Sequence, residues 1–347
     1  MIHKLESDRV NASREEAQAA GAQAAGRSRP CPWRTLPLFL LLVPVVLPGQ
    51  SPPPEGATIS VDVNLVVLPV TVRDRRGEFV AGLGKEDFQI FEDGRLQTIR
   101  LFQHEDMPVS VGLIVDNSTS MIRKRKDVTA AALAFVRSSN PRDEMFVVNF
   151  NERASLGLPP GEPFTAAASE LEKALNGVPA HGMTALYDAI EEGLVHVKQA
   201  SREKKVLIAI SDGGDNASRH TLPEVLADVE RANIMIYTIG LYDEFDEDRN
   251  PGVLKRIARA TGGEAFLPHE SSEVVPICER IAADIRHQYT IGYVPSDPTL
   301  DGAYRRIRVT ATRPHGGKLF VRAREGYIAA PQKTGAGSQG PGAGGAP

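Results

Sequence analysis

The sequence predicts an α/β fold: a doubly wound, mainly parallel sheet inserted between two strand-rich blocks that pair as a small β-sandwich. Three observations predict it. Four apolar runs, VSVGLIV (109–115), MFVVNF (145–150), VLIAI (206–210) and IMIYTI (234–239), are nearly continuous and read as strands buried on both faces. Helical patterns separate them, and strand–helix alternation argues a parallel sheet covered on both sides. The flanking blocks show strand alternation instead, and each is shorter than the roughly 60 residues at which a lone core is already marginal, so that pairing is favoured and two independent small domains are the alternative.

Length and composition agree with this. The 347 residues allow roughly two domains of about 150 residues each, with appendages. A hydrophobic content of 41% with 24% charged residues excludes a mostly disordered chain, a coiled coil and a collagen-like fibre. A net charge of −4 argues against nucleic acid as a partner bound through bulk charge. Two cysteines, Cys31 and Cys278, exclude a disulfide scaffold and a four-cysteine zinc site.

Residues 1–56 read as an extension, a signal or anchor, and a linker. Leu36 to Leu47 (LPLFLLLVPVVL) is too short for a bilayer span of about 20 residues. Arg27, Arg29 and Arg34 precede it, and Ser51 and three prolines follow. That order predicts export to a periplasmic, cell-surface or secreted location. An uncleaved N-terminal anchor is the alternative, and the only expected contact with a membrane. Loss of the segment would leave Cys278 as a lone thiol, at helical spacing with Val274, Ile277, Ile281 and Ile285 and so buried.

Residues 57–105 form the first strand block. Val61, Val63, Leu65 and Val67 alternate with Asp62, Asn64 and Val66, and Asp93-Gly94 between FQIFE and RLQTI predicts a tight hairpin. Residues 106–286 hold the four buried strands. Val128, Ala131, Ala132, Phe135 and Val136 mark one helical face; Leu186, Ile190, Gly193, Leu194 and Val197 mark another; and Leu222, Val225, Leu226 and Val229 mark a third. Thr221, Pro223 and Glu224 form the start of that third helix, a capping box with proline in the first turn. Residues 287–329 return to strands, with Tyr289, Ile291 and Tyr293 alternating. Arg305, Arg306, Arg308, Arg313, Lys318, Arg322 and Arg324 make this block basic, which reads as a solvated strand face with gatekeeping charges. Residues 330–347, rich in Gly and Pro, cannot bury enough apolar surface to fold and form a flexible tail.

Ligand sites in such sheets lie at the carboxyl ends of the strands. The first buried strand exits into Asp116-Asn117-Ser118-Thr119-Ser120, and an extended exit would turn Asp116, Ser118 and Ser120 to one side. The VLIAI strand exits into Ser211-Asp212-Gly213-Gly214-Asp215-Asn216, and His181-Gly182-Met183-Thr184 supplies one further hydroxyl. Two carboxylates and three hydroxyls make an all-oxygen set suited to a hard divalent cation, Mg²⁺ or Mn²⁺, with water completing the shell. An acidic group from a partner is a natural last ligand.

DNSTS (116–120), GMTALYD (182–188) and SDGGDN (211–216) resemble the three motifs of the von Willebrand factor type A domain, over roughly residues 106–286. The resemblance implies a Rossmann-like domain with a metal-ion-dependent adhesion site (MIDAS). By position, Asp116, Ser118 and Ser120 match its Asp-x-Ser-x-Ser motif, Thr184 its threonine and Asp212 its second aspartate. It implies a bound Mg²⁺, with Mn²⁺ or Ca²⁺ as substitutes, and a protein ligand with an exposed acidic residue. GLGKEDFQIFEDG (82–94) and the stretch from Tyr304 to Tyr327 are similar to a bacterial family of exported proteins related to these domains. Where integrin β subunits carry acids for a second ion, this chain has Ile122-Arg123-Lys124-Arg125-Lys126, so that site is not expected. The acids of 243–248 read as a solvated loop.

No enzyme is expected. GxxxxGK[ST], HExxH and GxSxG are absent. A metal-dependent hydrolase would need His181 or Asp215 as base, and a structural module with a vestigial site is the third reading. Asp188 could support the site from one turn beyond Thr184 or be an ordinary surface acid.

Overall fold

The structure, a computed structural model, describes residues 65–104, 106–242, 249–313 and 316–329. The N-terminal apolar run, the acids of 243–248 and the Gly/Pro-rich tail lie outside the described residues. Among those described, no helix is long and apolar enough to cross a membrane.

The first strand block supplies β1 (Val66–Arg73), β2 (Phe88–Glu92), β3 (Arg95–Gln97) and β4 (Ile99–Gln103). Next come β5 (Val109–Asp116), α1 (Arg125–Ser138), β6 (Glu144–Phe150), β7 (Ala154–Leu156), α2 (Ala168–Asn176) and α3 (Leu186–Val197). The α/β part continues with β8 (Lys204–Ser211), α4 (Leu222–Arg231), β9 (Met235–Gly240), α5 (Pro251–Thr261), β10 (Ala265–Phe266) and α6 (Val274–Arg286). The last block adds β11 (Tyr289–Tyr293), β12 (Tyr304–Ala311), β13 (Phe320–Arg322) and β14 (Gly326–Ile328).

The central sheet has the order β10-β9-β8-β5-β6-β7, parallel except for the antiparallel β6–β7 pair. All eight residues of β5 are buried, because strands flank it on both sides and helices cover both faces. One apolar layer lies between this sheet and α1, α2 and α6, and a second between it and α3, α4 and α5. From β5 the chain runs outward to β6 and then returns to β8 on the opposite side. The gap between the ends of β5 and β8 is therefore the switch point of the sheet, where such folds bind ligands.

The two outer blocks interleave. One sheet runs β13-β1-β11-β4 and the other β14-β12-β2-β3, so each contains strands from both blocks. Leu68, Val70, Ile90, Tyr289, Ile291, Tyr293 and Ile307 share one core between these sheets. The predicted fold is borne out: a doubly wound sheet carried between strand blocks that form a β-sandwich. The hairpin forms as predicted, with Asp93 and Gly94 at φ 46° and 81°, the positive pair that a tight primed turn demands. The capping box forms too, the Thr221 amide donating to Glu224 at 2.8 Å.

A buried polar cluster joins the sandwich to the α/β part. Asp284 of α6 accepts from Arg73 of β1 at 3.2 Å, from the Tyr237 hydroxyl of β9 at 2.5 Å, and from Arg322 of β13. Burial alone would raise the Asp284 carboxyl, but Arg322, Tyr237 and Arg73 hold it below the usual range. The basic block is therefore not uniformly a solvated face. Arg322 points inward to Asp284, and Arg305 is tied to Asp297 and Asp301 at 3.2 Å each, whereas Arg306 and Arg308 alternate to the exposed side. Cys278 is buried as expected, and burial pushes its thiol up to about 12, so it packs and does not react.

Candidate metal centre

The register of the two central strands sets the site. Val115 pairs with Ile210, which brings Asp116 level with Ser211 and leaves Asp212 one residue beyond. Asp116 is 2% exposed. Its Oδ1 accepts from the Ser118 amide at 2.8 Å and its Oδ2 from the Ser211 hydroxyl at 2.6 Å. The chain does not stay extended past Asp116, as the sequence reading supposed. It turns through a 3₁₀ segment, Thr119–Met121, and α1 starts only at Arg125. The Asp116 side chain accepts the amide two residues on, that of Ser118, and the 3₁₀ turn that follows, rather than extended alternation, brings the serines round.

The Ser118 and Ser120 hydroxyls lie 3.1 Å apart, and Ser120 donates to Asp212 Oδ2. Neither serine side chain caps the helix that follows, which removes the simpler explanation for them. The backbone of Asp212 is held by the Asn250 amide at 3.1 Å and its Oδ1 by the Gly214 amide at 3.0 Å. Gly213, at φ 82°, lets the chain turn there, and a Cβ would lie 2.5 Å from the Asn250 carbonyl.

Thr184 reaches the rim on a neighbouring loop. Thr119 donates to the Gly182 carbonyl through its amide at 3.2 Å and its hydroxyl at 3.1 Å. The Thr184 amide donates to Asn216 Oδ1 at 2.9 Å, which ties this loop to the Asp212 loop. The structure thus joins Asp116, Ser118, Ser120 and Asp212 in one hydrogen-bonded set and places Thr184 on a loop bonded to both sides of it.

Electrostatics fit an ion at this point. The Asp116 carboxyl is pushed up to about 6, first by burial and then by the charge of Asp212, with only neutral donors to offset them. Among the described residues no group of three or more His, Cys, Asp or Glu gathers to hold a metal. A cation here would rest on two carboxylates, hydroxyls and water, the donor set of a hard divalent ion.

Sequence reasoning missed the braces around this set. Ser211, inside the quoted SDGGDN segment, orients Asp116. Asn117 accepts from Arg125 and donates to Asn149 at 3.0 Å. Lys124 Nζ donates to the Leu241 carbonyl at 3.0 Å, so part of the basic run after the serines ties loops together. The Tyr242 hydroxyl is buried without a hydrogen-bond partner among the described residues, and burial and the Asp212 charge raise its pKa. Asp188 instead anchors the turn before α4, accepting from Arg219 and His220 amides at 3.0 Å each. Asp215 accepts from the Tyr187 amide at 2.9 Å and the Ser218 hydroxyl at 2.6 Å, and so braces the start of α3.

Part of the chain matches the von Willebrand factor type A domain family. The family profile of that domain matches residues 111–214, from within β5 to just past Asp212. Among solved structures, the chain is similar to a von Willebrand factor type A protein from Catenulispora acidiphila, at 15% identity and TM-score 0.47, covering 77% of this chain and 75% of that one. It is also similar to BatB, a conserved hypothetical protein from Bacteroides thetaiotaomicron, at 18% identity and TM-score 0.41, over 51% of this chain and 98% of that one. A third is proximal thread matrix protein 1 from the mussel byssus, described with a zinc-occupied MIDAS motif, at 15% identity and TM-score 0.44, over 56% and 49%.

Proposed function

We propose that the chain is an extracytoplasmic, metal-dependent protein-binding module and not an enzyme. A divalent ion, Mg²⁺ with Mn²⁺ or Ca²⁺ as substitutes, is held by Asp116, Ser118, Ser120, Thr184 and Asp212. One coordination position remains for a carboxylate on a partner protein. The observation that carries this reading is the hydrogen-bonded chain from Asp116 through Ser118 and Ser120 to Asp212, which gathers four oxygen-bearing side chains at the switch point of the sheet. Among the described residues the hydrogen bonds to the two acid side chains come from serine hydroxyls and backbone amides, so an ion of charge +2 would balance them. Ile122 and Met183, 53% and 50% exposed, flank the loops of this rim and offer apolar contact around an incoming acidic residue. The N-terminal basic and apolar segment supports export.

A hydrolase is less well supported. Of the two candidate bases, Asp215 is a brace for α3, which leaves exposed His181 alone.

Calorimetry with Mg²⁺ and Mn²⁺ tests the site directly. The expected result is one saturable site per chain, abolished by Asp116→Ala with the circular dichroism spectrum unchanged. Pull-down from the exported compartment then tests the function. A partner retained in Mg²⁺ and released by EDTA supports it, and capture that is indifferent to EDTA overturns it.

A further inference from the structure

We propose that a second site, remote from the cation site, binds a small oxyanion of the phosphate or carboxylate class, through Arg324 with Arg308 as a second cation. The cavity lies where the end of α5 meets the sandwich. It has a volume of about 310 Å³ and is lined by Arg259, Gly262, Arg308, Arg322, Arg324 and Glu325, among others.

Pairing among these residues leaves positive charge over. Arg259 is matched by Glu325 at 2.8 Å, and Arg322 by Asp284. Arg308 lies over the Phe91 ring at 4.6 Å, with no carboxylate within ion-pair distance among the described residues. Arg324 lies 5.3 Å over the Tyr327 ring and likewise has no ion pair among the described residues. Its Nε is buried and has no hydrogen-bond partner among the described residues, and burial pushes the guanidinium pKa down. Arg324 as a whole is half-buried, and a charge drawn partly out of water is favoured by an opposite charge or a bound ion, because leaving it unpaired is costly. Water could accept the Nε hydrogen but would leave the charge uncompensated, whereas an oxyanion does both and suits the guanidinium fork.

The adjoining helix end does not oppose this. The carbonyls at the end of α5 carry partial negative charge, but Arg322 already donates to the Gly262 carbonyl at 2.8 Å. Gly262 also keeps α5 against the strand backbone, where a Cβ would lie 2.4 Å from the Arg324 nitrogen.

The test uses the full chain in EDTA and chloride at constant ionic strength, so that the cation site plays no part. Inorganic phosphate and succinate are titrated by calorimetry, and melting is followed with and without each. Saturable binding of either anion supports the site, with a midpoint raised by about 5 °C in large excess. Arg324→Gln should weaken binding at least tenfold while melting no lower than the parent without anion, since it removes a half-buried charge that has no ion pair among the described residues. Arg308→Gln, at an exposed position, should weaken binding with no change in the anion-free midpoint. Absence of saturable binding to the folded parent overturns the proposal. So does binding that survives Arg324→Gln, or a loss of stability in that variant that is equal with and without anion.

Discussion

Asp116 accepts hydrogen bonds from the Ser118 amide and the Ser211 hydroxyl, and both donors are neutral. They orient the carboxylate without balancing its charge, and Asp212 adds to the imbalance. Asp116→Asn should therefore lower Mg²⁺ affinity by more than about 100-fold by calorimetry, beyond the range typical of an outer-shell residue. In EDTA the same variant should melt no lower than the parent, because a buried charge facing another acid has gone. A clear fall in the ion-free melting point would mean that Asp116 is chiefly structural. Ser211→Ala leaves both carboxylates in place but frees one to rotate, so affinity should fall about 10–100-fold with little change in fold. An unchanged affinity would show that Ser211 does not orient the ligand. Asp116, Ser118 and Asp212 were legible in the sequence as motif residues. The role of Ser211 was not, because a serine ending a buried strand looks like any other until the register sets it beside Asp116.

Elements follow the local sequence closely where the local signal is strong. The four apolar runs are β5, β6, β8 and β9, and Thr221 with Glu224 starts α4. The exit from β5 differs, because an aspartate whose side chain accepts the amide two residues on favours a turn over continued extension. The end of α5 carries a different constraint. Gly262 sits at φ 80°, and a side chain there would strike the Ala323–Arg324 backbone. Gly262→Ala should destabilise the protein by on the order of 1–3 kcal/mol, from left-handed strain and from separation of α5 from the sandwich. Urea midpoints measure this, and a cost of a few tenths of a kcal/mol would mean that α5 and the strands part easily.

At the scale of the molecule, the sandwich and the α/β part are tied through Asp284, which is fully buried and accepts from side chains of three different strands. Its carboxyl is held below the usual value, so between the folded and unfolded pKa values the unfolded chain binds more protons. Stability from this group is thus fully present above about pH 4 and is lost as the pH falls through the folded pKa. Asp284→Asn removes the charge facing Arg73 and Arg322, and should cost on the order of 3–5 kcal/mol near neutral pH. It should also flatten the loss of stability below pH 4, as followed by urea unfolding at several pH values. An acid profile identical to that of the parent would show that Asp284 does not govern it.

By itself the sequence determined the class of fold, the strands buried on both faces, the hairpin at Asp93-Gly94 and the oxygen-rich character of the rim. Each of these rests on the spacing of neighbouring residues, and periodicity records that directly. Only the tertiary structure decided that Ser120 reaches Asp212, that Ser211 braces Asp116, and that Arg322 turns inward to Asp284 while Arg306 and Arg308 face solvent. Those outcomes depend on which strands lie side by side and in what register, and residues brought together from 38 to 95 positions apart leave no periodic trace. Arg324, without an ion pair among the described residues, is of the same kind, since a surplus of charge can be counted only after the nearby acids have found their partners.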